Sequence, residues 1–137
     1  MRKMISMMIG VSCLVALGSA PLFAHHSGAM FDREKVVILV GTVKEFDYAN
    51  PHTWLYVSVT DAKGEETVWA IETEGPSALM RAGIRKSSLM PGDKVTVQAN
   101  PLRDGRPAGA WLAVTKEDGT RLMPRPGAVP ALAAPAN

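Results

Sequence analysis

The chain has 137 residues, enough for one domain, and a formal net charge of +2. Both surplus basic residues, Arg2 and Lys3, stand at its start, and 13 basic residues then balance 13 acidic ones in the rest. This balance argues against binding to nucleic acid or to an anionic membrane surface. The one cysteine, Cys13, also lies near the start, so the remainder has no thiol and no disulfide.

Residues 1–24 have the pattern of a signal peptide. Arg2 and Lys3 precede an uncharged apolar stretch from Met4 to Leu17, small residues and a proline follow, and Ala24 offers a cleavage point. The stretch is shorter than the ~20 residues that a membrane span needs. The sequence therefore predicts export, cleavage after Ala24, and a periplasmic protein without a stable membrane anchor. An uncleaved anchor is the alternative.

Five later segments have the alternation or the β-branched content of strands. The predicted strands are 36–48, 54–60, 67–73, 94–99 and 110–116. Gly41 inside the first strand indicates a bend or a bulge. A short helix is predicted over 77–82, between the third and fourth strands, with Gly83 at its end.

The order of these elements is typical of an OB-like fold, a five-stranded Greek-key barrel with a short helix between strands three and four. An open β-sandwich of similar size is the alternative. Alternation places Val57 and Val97 in the core. We expect the barrel to span residues 25–123, and the Pro- and Ala-rich residues 124–137 to form a disordered tail.

Short motifs follow one another in a distinctive order along the mature part of the chain. They are Ala24-His25-His26-Ser27, Phe31-Asp32, Gly41-Thr42-Val43, Asn50-Pro51-His52-Thr53-Trp54, Trp69-Ala70-Ile71-Glu72, Leu79-Met80-Arg81-Ala82-Gly83, Leu89-Met90-Pro91-Gly92-Asp93 and Arg103-Asp104-Gly105. Together they resemble an exported bacterial family known as domain of unknown function 6152, over roughly 24–122. The resemblance implies a periplasmic, OB-like barrel and supplies no function. The family usually has Trp where this chain has Ile84, which we expect to fill the same core position.

All three histidines, His25, His26 and His52, fall within these motifs. Cleavage after Ala24 makes His25 the first residue, with an α-amino group beside its imidazole, and His26 adds a second ring. Amine and imidazole donors without a thiolate favour Cu(II), and the arrangement resembles the copper brace of some exported copper proteins. Copper is thus the candidate cofactor, with His52 as a further ligand. A solvated chain end and a turn histidine are the alternative.

A second candidate surface comprises Trp54 and Tyr56, which alternate with core residues and face outward. OB-folds bind ligands on this strand face and the adjacent loops, where aromatic rings stack on sugars or bases. The alternative is that an N-terminal segment containing Phe31 packs over both rings. Arg103 and Arg106 would either bind an anion or form a plain turn.

The sequence shows no catalytic constellation. Glu72 and Glu74 share one strand face but lack a neighbouring nucleophile or cofactor motif, and we interpret them as a solvated pair. The sequence therefore predicts a binding or interaction module rather than an enzyme, with a small ligand, an envelope glycan or a periplasmic protein as its partner. A copper-binding protein is the alternative.

Overall fold

The computed structural model describes residues 27–127, which form one closed sheet with a short helix. The strands in this range are β1 (Val37–Asp47), β2 (His52–Thr60), β3 (Glu66–Glu74), β4 (Lys94–Pro101), β5 (Ala108–Lys116) and β6 (Arg121–Leu122). Helix α1 (Pro76–Arg81) lies between β3 and β4, and single 3-10 turns occupy Ser27–Met30 and Lys86–Ser88. In this part of the chain, no helix is long and apolar enough to cross a membrane.

The strands close into a barrel. Their order is β3-β2-β1-β4-β5, and a parallel pairing between β3 and β5 joins the two ends of the series. The other four pairings of the ring are antiparallel. This topology confirms the predicted five-stranded OB-like barrel with a helix between strands three and four, and the open sandwich is wrong because the sheet has no gap. The two-residue β6, which was not predicted, adds to the far edge of β5.

Gly41 marks the point at which β1 changes its partner. Residues from Val37 to Thr42 pair with β4, and residues from Thr42 onward pair with β2. A Cβ atom at Gly41 would lie 2.3 Å from the carbonyl oxygen of Ser58 and 2.7 Å from the side chain of Val57. Only glycine permits this approach of two backbones. The sequence predicted a bend or a bulge in this strand, and its register with β2 shifts, as at a bulge, between Val43 and Glu45.

The interior of the barrel is filled by the inward-facing residues of every strand. Val57 and Val97 are fully buried, which confirms the predicted strand faces. Helix α1 and the turn after it close one end of the barrel through Leu79, Ile84 and Leu89. Ile84 is therefore a core residue, as expected. The remaining large buried members of the core are Val43, Phe46, Leu55, Ile71, Trp111 and Val114.

The turn before β4 fixes the helix end of the barrel to β1 and β5. The carboxylate of Asp93 accepts a hydrogen bond from the Met90 amide at 3.0 Å and pairs with the Lys116 ammonium at 3.1 Å. The backbone of Gly92 and Asp93 also exchanges hydrogen bonds with Val43. Both donors to the carboxylate, the Met90 amide first and Lys116 second, lower the pKa of Asp93 below its usual value.

The strand faces predict that two Val→Asp substitutions differ strongly in their effect on the free energy of unfolding. Val57→Asp places an unpaired charge at a position with 0% exposure, whereas Val40→Asp changes a side chain that is 68% exposed. Burial of an unpaired charge costs several kcal/mol, on the order of the whole free energy of unfolding of a small domain. Urea denaturation should show an unfolded or strongly destabilised Val57→Asp and a Val40→Asp close to wild type. A larger loss for Val40→Asp than for Val57→Asp would mean that the register is displaced by one residue.

The contacts of Asp93 predict a stability difference that depends on pH. Because its pKa is lowered in the folded state, ionised Asp93 stabilises the fold above the unfolded pKa of about 3.9, and this stabilisation disappears as the pH falls through the folded pKa. Asp93→Asn should therefore be less stable than wild type at pH 6, and the difference should shrink below about pH 4. Urea denaturation at several pH values measures it. Glu117→Gln, which removes an exposed carboxylate in the loop between β5 and β6, is the control. An equally pH-dependent effect of that substitution would contradict the assignment.

Candidate ligand-binding cavity

A cavity of about 300 Å³ lies over the outer face of β3 and β5, where both ends of the described chain meet. Strands and terminal segments contribute different walls. β3 and β5 supply the floor, and segments before β1 and after β6 supply further lining residues. The lining residues are Gly28, Phe31, Arg33, His52, Glu72, Thr73, Glu74, Asn100, Ala110, Trp111, Leu112, Pro124 and Arg125.

The segment before β1 is attached to the barrel through one isolated antiparallel β-bridge. Phe31 pairs with Leu102, the residue after β4, and both side chains are buried. The Asp32 amide donates to the carbonyl of Pro101 at 2.8 Å, and the Arg103 amide donates to the carbonyl of Met30 at 2.9 Å. These bonds hold residues 30–32 across the end of β4, so that Gly28 and Phe31 face the cavity.

Asp32 adds an electrostatic contact to this attachment. Its carboxylate lies 3.3 Å from the Lys35 ammonium and 3.8 Å from the Arg103 guanidinium. Burial raises the pKa of Asp32, but the hydrogen bonds from Lys35 and from the Glu34 amide, with the charge of Arg103, lower it overall. Ionised Asp32 therefore ties the N-terminal segment to the loop between β4 and β5.

His52 and Glu72 form a polar pair at the edge of the cavity. His52 is the first residue of β2, and its Nδ1 lies 3.1 Å from Oε1 of Glu72 and 3.3 Å from the carbonyl oxygen of Thr73. The side chain of Glu72 is only 13% exposed, whereas that of His52 is 44% exposed. The interpretation of Glu72 as part of a solvated pair is therefore wrong, because the terminal segments cover the outer face of β3.

Glu74 binds Arg125 in the segment after β6, which also lines the cavity. Nε of Arg125 donates to Oε1 of Glu74 at 2.7 Å, and the same guanidinium reaches that oxygen through Nη2. Pro124 is half-buried beside it and also lines the cavity. The first residues of the predicted tail thus contribute to the barrel surface. Residues 128–137 lie outside the described range.

Trp54 and Tyr56 lie on the outer face of β2, as the alternation predicts, and both are half-buried. Trp54 stands opposite Asp47 on β1 and Glu72 on β3 in the strand register. Phe31, the residue expected as the alternative cover for these rings, pairs with Leu102 and lines the cavity. The two aromatic residues therefore flank the cavity wall at Glu72 without belonging to its lining.

The loop between β4 and β5 keeps both predicted arginines beside carboxylates. Arg103 faces Asp32 at 3.8 Å, and Nε of Arg106 lies 2.8 Å from Asp104. The Arg106 amide also donates to Asp104 at 3.1 Å, as in a plain turn. Neither arginine belongs to the cavity lining.

Of the three predicted metal ligands, the structure places His52 alone, because His25 and His26 lie outside the described residues. Within residues 27–127, no group of three or more His, Cys, Asp or Glu side chains is arranged to hold a metal ion. Gly28 lines the same cavity as His52, however, and stands only two positions after His26 in the chain.

Sequence reasoning missed four polar residues of the cavity, namely Arg33, Thr73, Asn100 and Arg125. Asn100 is buried at the end of β4, and its amide donates to the carbonyl of Lys35 at 2.7 Å. The two arginines come from segments on either side of the barrel sequence. No local pattern marks them, because only the folded barrel brings the two segments together.

The fold and the cavity define a small OB-like barrel whose own terminal segments enclose a polar and aromatic site. The chain belongs to the family of unknown function DUF6152, whose model matches residues 13–113. This match confirms the resemblance seen in the motifs. No curated protein and no solved structure matches the chain.

Proposed function

We propose that the mature protein is an exported periplasmic binding module without catalytic activity, and that the cavity between its terminal segments holds the ligand. The cavity itself is the observation that supports this proposal. Its volume of about 300 Å³ is at the lower end of the range of small-molecule sites. This size favours a small ligand over an envelope glycan or a protein partner.

The lining suggests the chemistry of such a ligand. Phe31, Trp111 and Leu112 offer apolar surface, and charged side chains of both signs stand among them. Glu72 is paired with His52, and Glu74 with Arg125, so each carboxylate has a partner before any ligand arrives. Paired groups of this kind can orient the polar groups of a bound molecule. The proposed ligand has an apolar part and a few polar groups.

A second candidate function is periplasmic copper binding through His25, with His26 and His52. The observation that favours it is the shared lining of the cavity by Gly28 and His52, since Gly28 closely follows His26 in the chain. Cleavage after Ala24 creates the chelate of amine and imidazole. Because the amine must lose its proton, copper affinity should rise with pH through about 8.

Export predicts a defined first residue. Protein isolated from the periplasm should begin at His25, because Ala24 is the small residue required at the cleavage point. N-terminal sequencing and subcellular fractionation test this. Ala24→Tyr, which removes the small residue, should accumulate as the uncleaved precursor. Wild-type protein that retains Met1, or that stays with the membranes, would contradict export as a cleaved periplasmic protein.

If the cavity holds the ligand, a larger side chain in its lining should displace that ligand. Ala110 lines the cavity, whereas Ala108 lies two residues earlier on the same face of β5 and is not in the lining. Native mass spectrometry of protein purified from the periplasm should show a bound small molecule on wild type and on Ala108→Phe. The occupancy should fall at least tenfold on Ala110→Phe.

Thermal melting of both variants checks that the barrel is intact, so that a lost ligand is not a lost fold. Wild type without any bound mass, or equal occupancy of the two variants, would contradict the cavity as the ligand site. A bound mass equal to that of a copper ion would favour the second candidate.

A further inference from the structure

The first half of β1 has a partner strand on one side only. Residues Val37–Thr42 pair with β4, whereas the pairing with β2 begins at Thr42. Beyond that point the two strands part, and the cleft between them is lined by Val40 and Thr60 among other residues. Within residues 27–127, no strand lies beside residues 37–41 on this second side. This side of residues 36–41 is the open edge of the barrel.

The direction of the backbone groups along the open edge follows from Val43. Its amide and its carbonyl form hydrogen bonds of 2.9 and 2.8 Å with the turn before β4, so both groups point toward β4. In an antiparallel ladder, successive residues direct their N–H and C=O groups to alternate sides. Those of Leu39 therefore point toward β4 as well, whereas those of Ile38 and Val40 point out of the open edge. The edge thus offers a regular set of donors and acceptors to a further strand.

The side chains of the open edge are apolar and exposed. Val36, Ile38 and Val40 are 48%, 55% and 68% exposed, and residues 36–41 contain no charged residue and no proline. Exposed edge strands usually carry a lysine, a proline or a bulge that prevents pairing with another chain. This edge carries none of the three within residues 36–41, and its β-branched residues favour an added strand.

Opposite charges without an ionic partner stand at the two ends of the open edge. Before it, the carboxylate of Glu34 has no hydrogen bond or ion pair in the described part of the chain, since the neighbouring Lys35 is paired with Asp32. After it, Nζ of Lys94 donates to the Thr42 hydroxyl at 2.8 Å and meets no carboxylate of residues 27–127. Two such edges in antiparallel orientation bring Glu34 of one copy toward Lys94 of the other. A parallel orientation would instead bring like charges together.

We propose that two copies of the protein pair through this open edge, antiparallel and about a two-fold axis at Leu39. Ile38 of each copy then exchanges backbone hydrogen bonds with Val40 of the other, so the outward groups of both residues are satisfied together. A contact that uses the same surface on both copies closes on itself and ends at a dimer. None of these residues lines the cavity, so the pairing leaves the proposed ligand site open.

The size of the open edge indicates how strong the pairing is. Six residues of strand are about 20 Å long. An interface formed by a single edge of this length belongs to the small interfaces that are typical of weak association. Dilute protein should therefore be monomeric, and the dimer should form as the protein concentration rises.

The test is analytical ultracentrifugation of the mature chain over a concentration series up to about 1 mM. The molar mass of wild type should rise toward twice that of the monomer. Val40→Pro removes an N–H that points out of the open edge, so the pairing with β4 is unaffected. The dissociation constant of the dimer should rise at least about tenfold, because each dimer loses two backbone hydrogen bonds. Val40→Thr keeps the N–H and the β-branched shape and should stay within about threefold of wild type.

Charge exchange at the ends of the edge tests the antiparallel orientation. Glu34→Lys alone and Lys94→Glu alone should each weaken the dimer, because each places like charges opposite one another. The double variant restores opposite charges and should regain most of the lost affinity. Thermal melting of every variant checks that a lost dimer is not a lost fold.

Three results would overturn the proposal. Wild type that stays monomeric throughout the series would leave the open edge to an extended segment of a different protein. A dimer that forms equally well with Val40→Pro would use another surface of the barrel. A double charge variant that binds no better than the single variants would exclude the antiparallel contact between Glu34 and Lys94.

Discussion

The barrel closes through three residue pairs between β3 and β5, and these pairs depend on small side chains. Ala70, Ile71 and Glu72 stand opposite Ala108, Gly109 and Ala110, respectively. A Cβ atom at Gly109 would lie 2.8 Å from the carbonyl oxygen of Asn100 on β4, so a larger residue there would push β5 away from its neighbour. On the outer face, the short side chain of Ala110 leaves room above the sheet, and the cavity lies there. The closure of the barrel and the space for a ligand thus have the same origin.

The parts of the fold that depend on local pattern were accessible from the sequence. Alternation placed Val57 and Val97 inside, Gly41 indicated the bend, and the helix predicted over 77–82 is present at Pro76–Arg81. Each depends on residues near one another in the chain. The start of β2 was not predicted, because the Asn-Pro sequence is typical of a turn, whereas His52 is drawn into the sheet by its pairing with Glu74 on β3.

The candidate site was less accessible, because it depends on contacts between distant segments. The outer face of a strand is solvated unless something covers it, and Glu72 was interpreted in that way. The cover comes from residues near 28–33 and from Pro124 and Arg125, more than 30 positions from β3 along the chain. Sequence reasoning did single out His52, as a candidate metal ligand. It had no means of finding the carboxylate beside it, since cross-strand neighbours are defined only once the register is known.

Residues 28–33 and 124–125 meet at the cavity, and this has a practical consequence for anyone who labels the protein. An affinity tag or fluorophore attached within either of these segments would sit at the cavity. The exposed hairpin at 61–64 joins the opposite ends of β2 and β3. At about 3.3 Å per strand residue, it lies roughly 20 Å along β3 from Glu72 and roughly 30 Å along β2 from His52. A reporter inserted there would leave the site open to whatever the protein binds.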